Sequence, residues 1–205
     1  MPPQAIGAES EILRQILDPD VNLSLWQRPD RADISQELSA LAPSDLPDVR
    51  CSTSLETFDD DVSMLLEEQG FDPSAFPNWR ADLLSLADYY FSVSGRREVT
   101  LRLQTTNKNG CRRFHVDHTN LRLLCTYRGP GTEWLADEQV DRSALGAGVP
   151  NSDIIRFGEP AQFAPFWVGI MKGKAYPGNS AHGLVHRSPQ VELCGRMRVL
   201  FCLDW

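Results

Sequence analysis

Apolar positions recur at helical spacing through the first half of the chain and switch to alternation after Gly95. Residues 9–17 (ESEILRQIL) form a short amphipathic helix in this pattern, stopped at Asp18-Pro19 because proline cannot extend a helix. Residues 21–26 (VNLSLW) alternate apolar and polar side chains as an edge strand does. A second helix is predicted over 33–42, ending before Pro43. Over 55–69, Phe58, Val62, Leu65 and Leu66 make one apolar stripe, with Gly70 at the C-terminal stop. Asn78 is placed to cap a longer helix through Phe91, whose stripe is Leu83, Leu84, Ala87, Tyr90 and Phe91.

Beyond Gly95 the candidate strands are 99–105, 111–115, 121–127, 132–135, 154–157, 166–171, 183–187 and 197–203. Turn chemistry separates them: Asn107-Lys108-Asn109-Gly110, Gly129-Pro130-Gly131 and Tyr176-Pro177-Gly178-Asn179. Short strands in series after a helical half predict an α+β fold, a closed sandwich or jelly roll with helices packed outside. The expected organisation is a single domain over 1–205, mainly helical over 1–97 and jelly-roll over 98–205. The 136–150 stretch is a long connection, and such loops often carry function.

Composition narrows the class. Hydrophobic residues make up 41% and charged residues 23% of 205 positions, which excludes a disordered chain, a collagen-like repeat and a coiled coil. No apolar run is long enough to span a membrane, and the N-terminal residues lack the pattern of a signal peptide; the expected location is cytoplasmic. The five cysteines are widely spaced with no CxxC pair, so a zinc ribbon or a thioredoxin motif has no support. The net charge of -8 is uneven: residues 1–98 carry 7 Lys+Arg against 19 Asp+Glu, and residues 99–205 carry 13 against 9. The acidic half argues against nucleic-acid binding and offers a surface to a protein partner, whereas the basic half suits a small anion. No GxSxG elbow is present, which argues against a serine hydrolase.

All four histidines fall in two tight groups, Phe114-His115-Val116-Asp117-His118 and His182-Gly183-Leu184-Val185-His186. On a strand, His115 and Asp117 project from one face because side chains repeat every two residues. An imidazole and a carboxylate so placed, completed by His186 from a distant strand, make a facial triad that suits Fe(II) and leaves other metal positions open. His118 and His182 are the additional nitrogen donors, and with them the same site reads as a zinc centre.

In the last strand Met197, Val199, Phe201 and Leu203 share one face, while Arg196, Arg198, Leu200 and Cys202 share the other. If the apolar face packs on the helices, the arginines point into the barrel mouth, where a guanidinium grips a carboxylate by two hydrogen bonds. Arg198 lies one pleat deeper than Arg196 and is the preferred anchor; a structural salt bridge is the competing role. Thr126 or Tyr127 offers a hydroxyl to a co-substrate carboxylate, with core packing the alternative.

These residues resemble two groups. His115-x-Asp117, a distal His186 and an arginine on the final strand are similar to the double-stranded β-helix (jelly-roll, cupin-like) of Fe(II)/2-oxoglutarate dioxygenases. The words VNLSLWQR, FHVDHTNLRLLCTYRGPGTEWL, VGIMKGK, HRSP and RMRVLFCLD resemble the bacterial family named domain of unknown function 1826. The first resemblance implies an oxidoreductase: His115, Asp117 and His186 as Fe(II) ligands and catalytic residues, Arg198 as the 2-oxoglutarate anchor, and a small-molecule or peptide substrate. Two alternatives keep the barrel: a zinc hydrolase, or a non-catalytic cupin-like protein that binds a metal or small anion and serves metal homeostasis.

Overall fold

The alternating segments past Gly95 fold into two sheets packed on each other in the computed structural model, which describes residues 4–205. The strands are β1 (Gln4–Gly7), β2 (Leu23–Trp26), β3 (Val49–Thr53), β4 (Val99–Thr106), β5 (Leu121–Arg128), β6 (Glu133–Leu135), β7 (Ala161–Gln162), β8 (Val168–Lys172), β9 (Val185–Arg187) and β10 (Arg198–Asp204). Seven form one sheet in the order β1-β2-β8-β5-β10-β4-β3, and three form a small sheet in the order β7-β6-β9. Helices α1 (Ala32–Leu38), α2 (Phe58–Glu68) and α3 (Pro77–Ser94) complete an α+β fold.

Alternation assigns each strand's two faces to two different cores. Val199, Phe201 and Leu203 on β10, with Leu121, Leu123, Cys125 and Tyr127 on β5, join Phe58, Trp79, Leu83 and Tyr90 of the helices. Leu200, Cys202 and Leu124 point the other way, to Trp134, Phe163 and Leu184 between the sheets. Each large side chain buried this way contributes about 1.5–3 kcal/mol, which fixes the helices to the outer face of the large sheet. A buried polar brace crosses the same layer: Arg28 holds Asp82 of α3 through two hydrogen bonds of 2.7 and 2.8 Å and donates to the Phe166 carbonyl. With both partners buried, removing either would strand an uncompensated charge.

Several sequence expectations are corrected. Residues Ser10–Leu17 form a 3-10 helix. Strand β2 is an inner strand, because β1 pairs with it in parallel on one side and β8 covers the other. The half expected to be mainly helical therefore also supplies β1, β2 and β3 to the large sheet. Helix α3 starts at Pro77, and its first amides are satisfied by Glu37 of α1, which accepts from the Asn78 and Trp79 N–H groups at 3.0 and 2.8 Å. The strand expected over 154–157 gives way to a helical turn, α4 (Asn151–Ile154), followed by a single bridge from Ile155 to Val140. Residues 111–115 make no ladder beyond one bridge at His115. Among the described residues no ladder joins the two sheets, so the barrel is not closed. Nor is any helix among them long and apolar enough to cross a membrane.

Candidate metal centre

His115 and His186 face each other across that single antiparallel bridge, each donating its backbone N–H to the other's carbonyl at 3.0 Å. Directly opposed residues project to the same side of a sheet, which brings the two imidazole centroids to 4.6 Å. Asp117, two residues beyond His115, returns to that side. Its Oδ1 lies 3.4 Å from His115 Nε2 and its Oδ2 lies 3.2 Å from His186 Nε2. One donor atom from each of the three residues falls within 4.8 Å of the others.

The tautomers follow from the neighbours. His115 Nδ1 sits 2.9 Å from the Arg113 carbonyl and His186 Nδ1 sits 3.1 Å from the Leu184 carbonyl. A carbonyl only accepts, so each Nδ1 carries a proton, and Nε2 is the atom left on each ring, able to donate to Asp117 when the ring is protonated or to hold a cation when it is neutral. Burial alone would raise the Asp117 pKa, but hydrogen bonds from both histidines and the Arg122 charge hold it well below the ordinary carboxylate range. The hydrogen bond to Asp117 raises the His115 pKa above its ordinary value, against an opposing effect of burial.

Both imidazoles line a cavity of about 330 Å³ whose wall also carries Arg122, Leu124, Thr132, Arg198 and Leu200. Strand β10 turns Arg198 into this cavity, where it is buried. Its Nη2 donates to Thr126 Oγ1 at 3.1 Å and Thr132 Oγ1 at 2.8 Å, while its Nε has no partner. Among the described residues no carboxylate pairs with it, and burial pulls its pKa down to about 10. Thr126 thus reaches the cavity through Arg198.

Other predicted residues lie elsewhere. Tyr127, one position on, faces the helices and donates to Asp82 at 2.6 Å, because neighbouring strand residues take opposite faces. Arg196 precedes the first residue of β10 and is exposed on a separate groove with Arg128 and Gly129. His118 turns into another cavity with Asn120 and Trp205, and His182 sits half-exposed with Nδ1 3.8 Å from Asp137. Neither extra histidine joins the triad, so the nitrogen-rich zinc site is not formed. Arg187 is drawn to Glu133 at 2.5 Å. The 136–150 connection packs Val140, Leu145 and Val149 on Phe114, next to His115. Sequence reasoning missed the role of Arg122. Nothing in the spacing singles that residue out, because its contact with Asp117 depends on how the turn over 118–120 brings the strand back to that carboxylate.

The chain belongs to the family described as protein of unknown function DUF1826, whose model matches residues 7–204. No curated protein sequence matches it. Similar solved structures include dioxygenase for auxin oxidation 1 from Arabidopsis thaliana in its 2-oxoglutarate complex, at 14% identity over 95% of this chain and 76% of that one, with a TM-score of 0.42. AviO1 from Streptomyces viridochromogenes Tue57 is 13% identical over 89% of both chains, with a TM-score of 0.40. A prolyl-4-hydroxylase from Pseudomonas putida is 12% identical over 84% of this chain and 90% of that one, with a TM-score of 0.34.

Proposed function

We propose that this protein is a non-haem Fe(II)/2-oxoglutarate-dependent dioxygenase built on an open double-stranded β-helix. The strand order supports that fold: β4, β5, β8 and β10 lie in the large sheet, and the His115 bridge, β6, β7 and β9 lie in the small one. The donor set of two neutral imidazoles and one carboxylate matches the ligands Fe(II) takes in oxygenases of this kind. Bound iron would supply adjacent positions for a 2-oxo acid and dioxygen, coupling decarboxylation to oxidation of a substrate.

The observation that carries the reading is Arg198, a buried guanidinium with no carboxylate partner among the described residues, which opens on the same cavity as His115 and His186. Removing such a charge from water costs several kcal/mol unless a partner meets it. A dicarboxylate held at one end by the metal would bring its far carboxylate to the free Arg198 N–H groups, with the hydroxyls of Thr126 and Thr132 orienting the guanidinium. Leu124 and Leu200 line the same cavity and keep water from that contact. A small-molecule or peptide substrate would enter past the 136–150 connection.

Anaerobic addition of Fe(II) and 2-oxoglutarate should produce a weak visible charge-transfer band, absent in His115→Ala. Arg198→Leu should weaken 2-oxoglutarate binding about 10–100-fold, the loss expected for hydrogen bonds to a charge, while leaving Fe(II) binding in place. Metal-replete protein that gives no band overturns the proposal. Zinc in protein purified without an affinity tag would turn it toward hydrolysis at the same triad.

A further inference from the structure

Asp117 is held from outside the triad as firmly as from within it. Arg122 donates from Nη1 to Asp117 Oδ2 at 2.5 Å, and with Nη2 it reaches Asp204 Oδ2 at 2.9 Å; its Nε also meets Asp204 Oδ1. All three side chains are largely shielded, at 17%, 15% and 12% exposure for Arg122, Asp117 and Asp204, so these contacts are far less screened than surface pairs. Register fixes the geometry: Arg122 on β5 pairs directly with Asp204 on β10, both in the large sheet. The planar guanidinium then spans from that sheet to the segment carrying His115 and Asp117. Only a fork with donors on several edges makes these contacts together.

We propose that Arg122, locked by Asp204, is a positioning residue for the metal centre. By occupying Asp117 Oδ2 it leaves Oδ1, the oxygen facing His115 Nε2, to serve a cation. It also fixes the plane of the carboxylate before the metal arrives. A carboxylate limited to one ligand oxygen keeps more of the metal's positions open for co-substrate and dioxygen. The inference rests on the metal reading above, and its test separates the two.

The test is calorimetric titration of the full-length, metal-free chain with Fe(II) under anaerobic conditions, paired with thermal melts. Arg122→Gln should bind Fe(II) about 10–100-fold more weakly, the usual loss when the partner orienting a ligand is removed. Arg122→Lys should recover part of that loss, because it restores a charge and a donor at Asp117. Asp204→Asn should give an intermediate loss that does not add to Arg122→Gln, the signature of residues acting through one another. A merely structural role would lower the melting temperature of these variants while leaving the folded protein's Fe(II) affinity unchanged. Folded Arg122→Gln that binds within about twofold of wild type, a difference too small for coupling, overturns the proposal. If Arg122→Gln does not fold, unchanged affinity in both Arg122→Lys and Asp204→Asn overturns it. Wild-type protein that binds no Fe(II) is a distinct result, which removes the metal centre and this inference with it.

Discussion

An imidazole whose Nδ1 is tied to a main-chain carbonyl has a single nitrogen left to offer, and both histidines of the triad are in that state. Their remaining competitor for a cation is the proton. Asp117 and the Arg113 carbonyl both favour protonated His115, lifting its pKa above the ordinary 6.5. In metal-free protein the stability from this pair is complete below the unfolded pKa and fades as pH rises through the higher folded value. Metal affinity runs the other way. Fe(II) binding should strengthen as pH rises through the folded pKa and weaken by about tenfold per unit below it, since one proton must leave. Anaerobic titrations across that range check the slope, and a flat profile would show that His115 is not a ligand. At this scale much was legible from sequence: His115, Asp117 and His186 meet, and Arg198 reaches their cavity. Thr126 and Tyr127 offer the same hydroxyl chemistry, but adjacent strand residues take opposite faces, and Tyr127 turns to Asp82 on the helix side.

The triad is held by connections as much as by strands. The segment after β8 lies against the turn after Asp117, with Lys174 N–H donating to the Asp117 carbonyl at 3.0 Å and Gly173 N–H to Asn120 at 2.9 Å. A Cβ on Gly173 would sit 2.2 Å from the Thr119 oxygen and 2.8 Å from that of Asp117, so only glycine permits this approach. Gly173→Ala should cost about 1–3 kcal/mol from overpacking and weaken Fe(II) binding as the Asp117 turn shifts. Gly178→Ala, on the same connection, meets nothing within 4 Å and carries only the strain of φ +77. It should cost about 1 kcal/mol and leave Fe(II) binding unchanged. Melting curves with Fe(II) titrations of both variants check the contrast, and equal Fe(II) affinities would contradict it. Sequence reading could not find this clasp, because Gly173 and Thr119 are distant along the chain and neither carries a local signal. The same reason hid β1, whose parallel pairing with β2 is set by tertiary packing. Helices α2 and α3 were legible because their apolar stripes already describe the face they bury.

Across the whole molecule, the large sheet works as a partition. Its helix side is closed by Trp79, Tyr90, Phe58 and Phe201, and the charges buried there, Arg28 and Asp82, are spent on each other, with Tyr127 donating to Asp82. Its other side, facing the small sheet, leaves Arg198 Nε without a partner and gathers the two Nε2 atoms of the triad about Asp117. That asymmetry follows from the period-two pattern of β5 and β10, so the faces were readable in sequence while the openness of the barrel was not. Openness depends on how many backbone bonds the short strands β6, β7 and β9 form with neighbours, which apolar patterning does not encode. The most direct test is a crystal structure of the chain loaded anaerobically with Mn(II) in place of Fe(II), together with 2-oxoglutarate, read by anomalous scattering from the metal. One peak is expected between His115 Nε2, His186 Nε2 and Asp117 Oδ1, with the co-substrate's far carboxylate on Arg198. A peak at any other set of side chains, or none at these three, contradicts it.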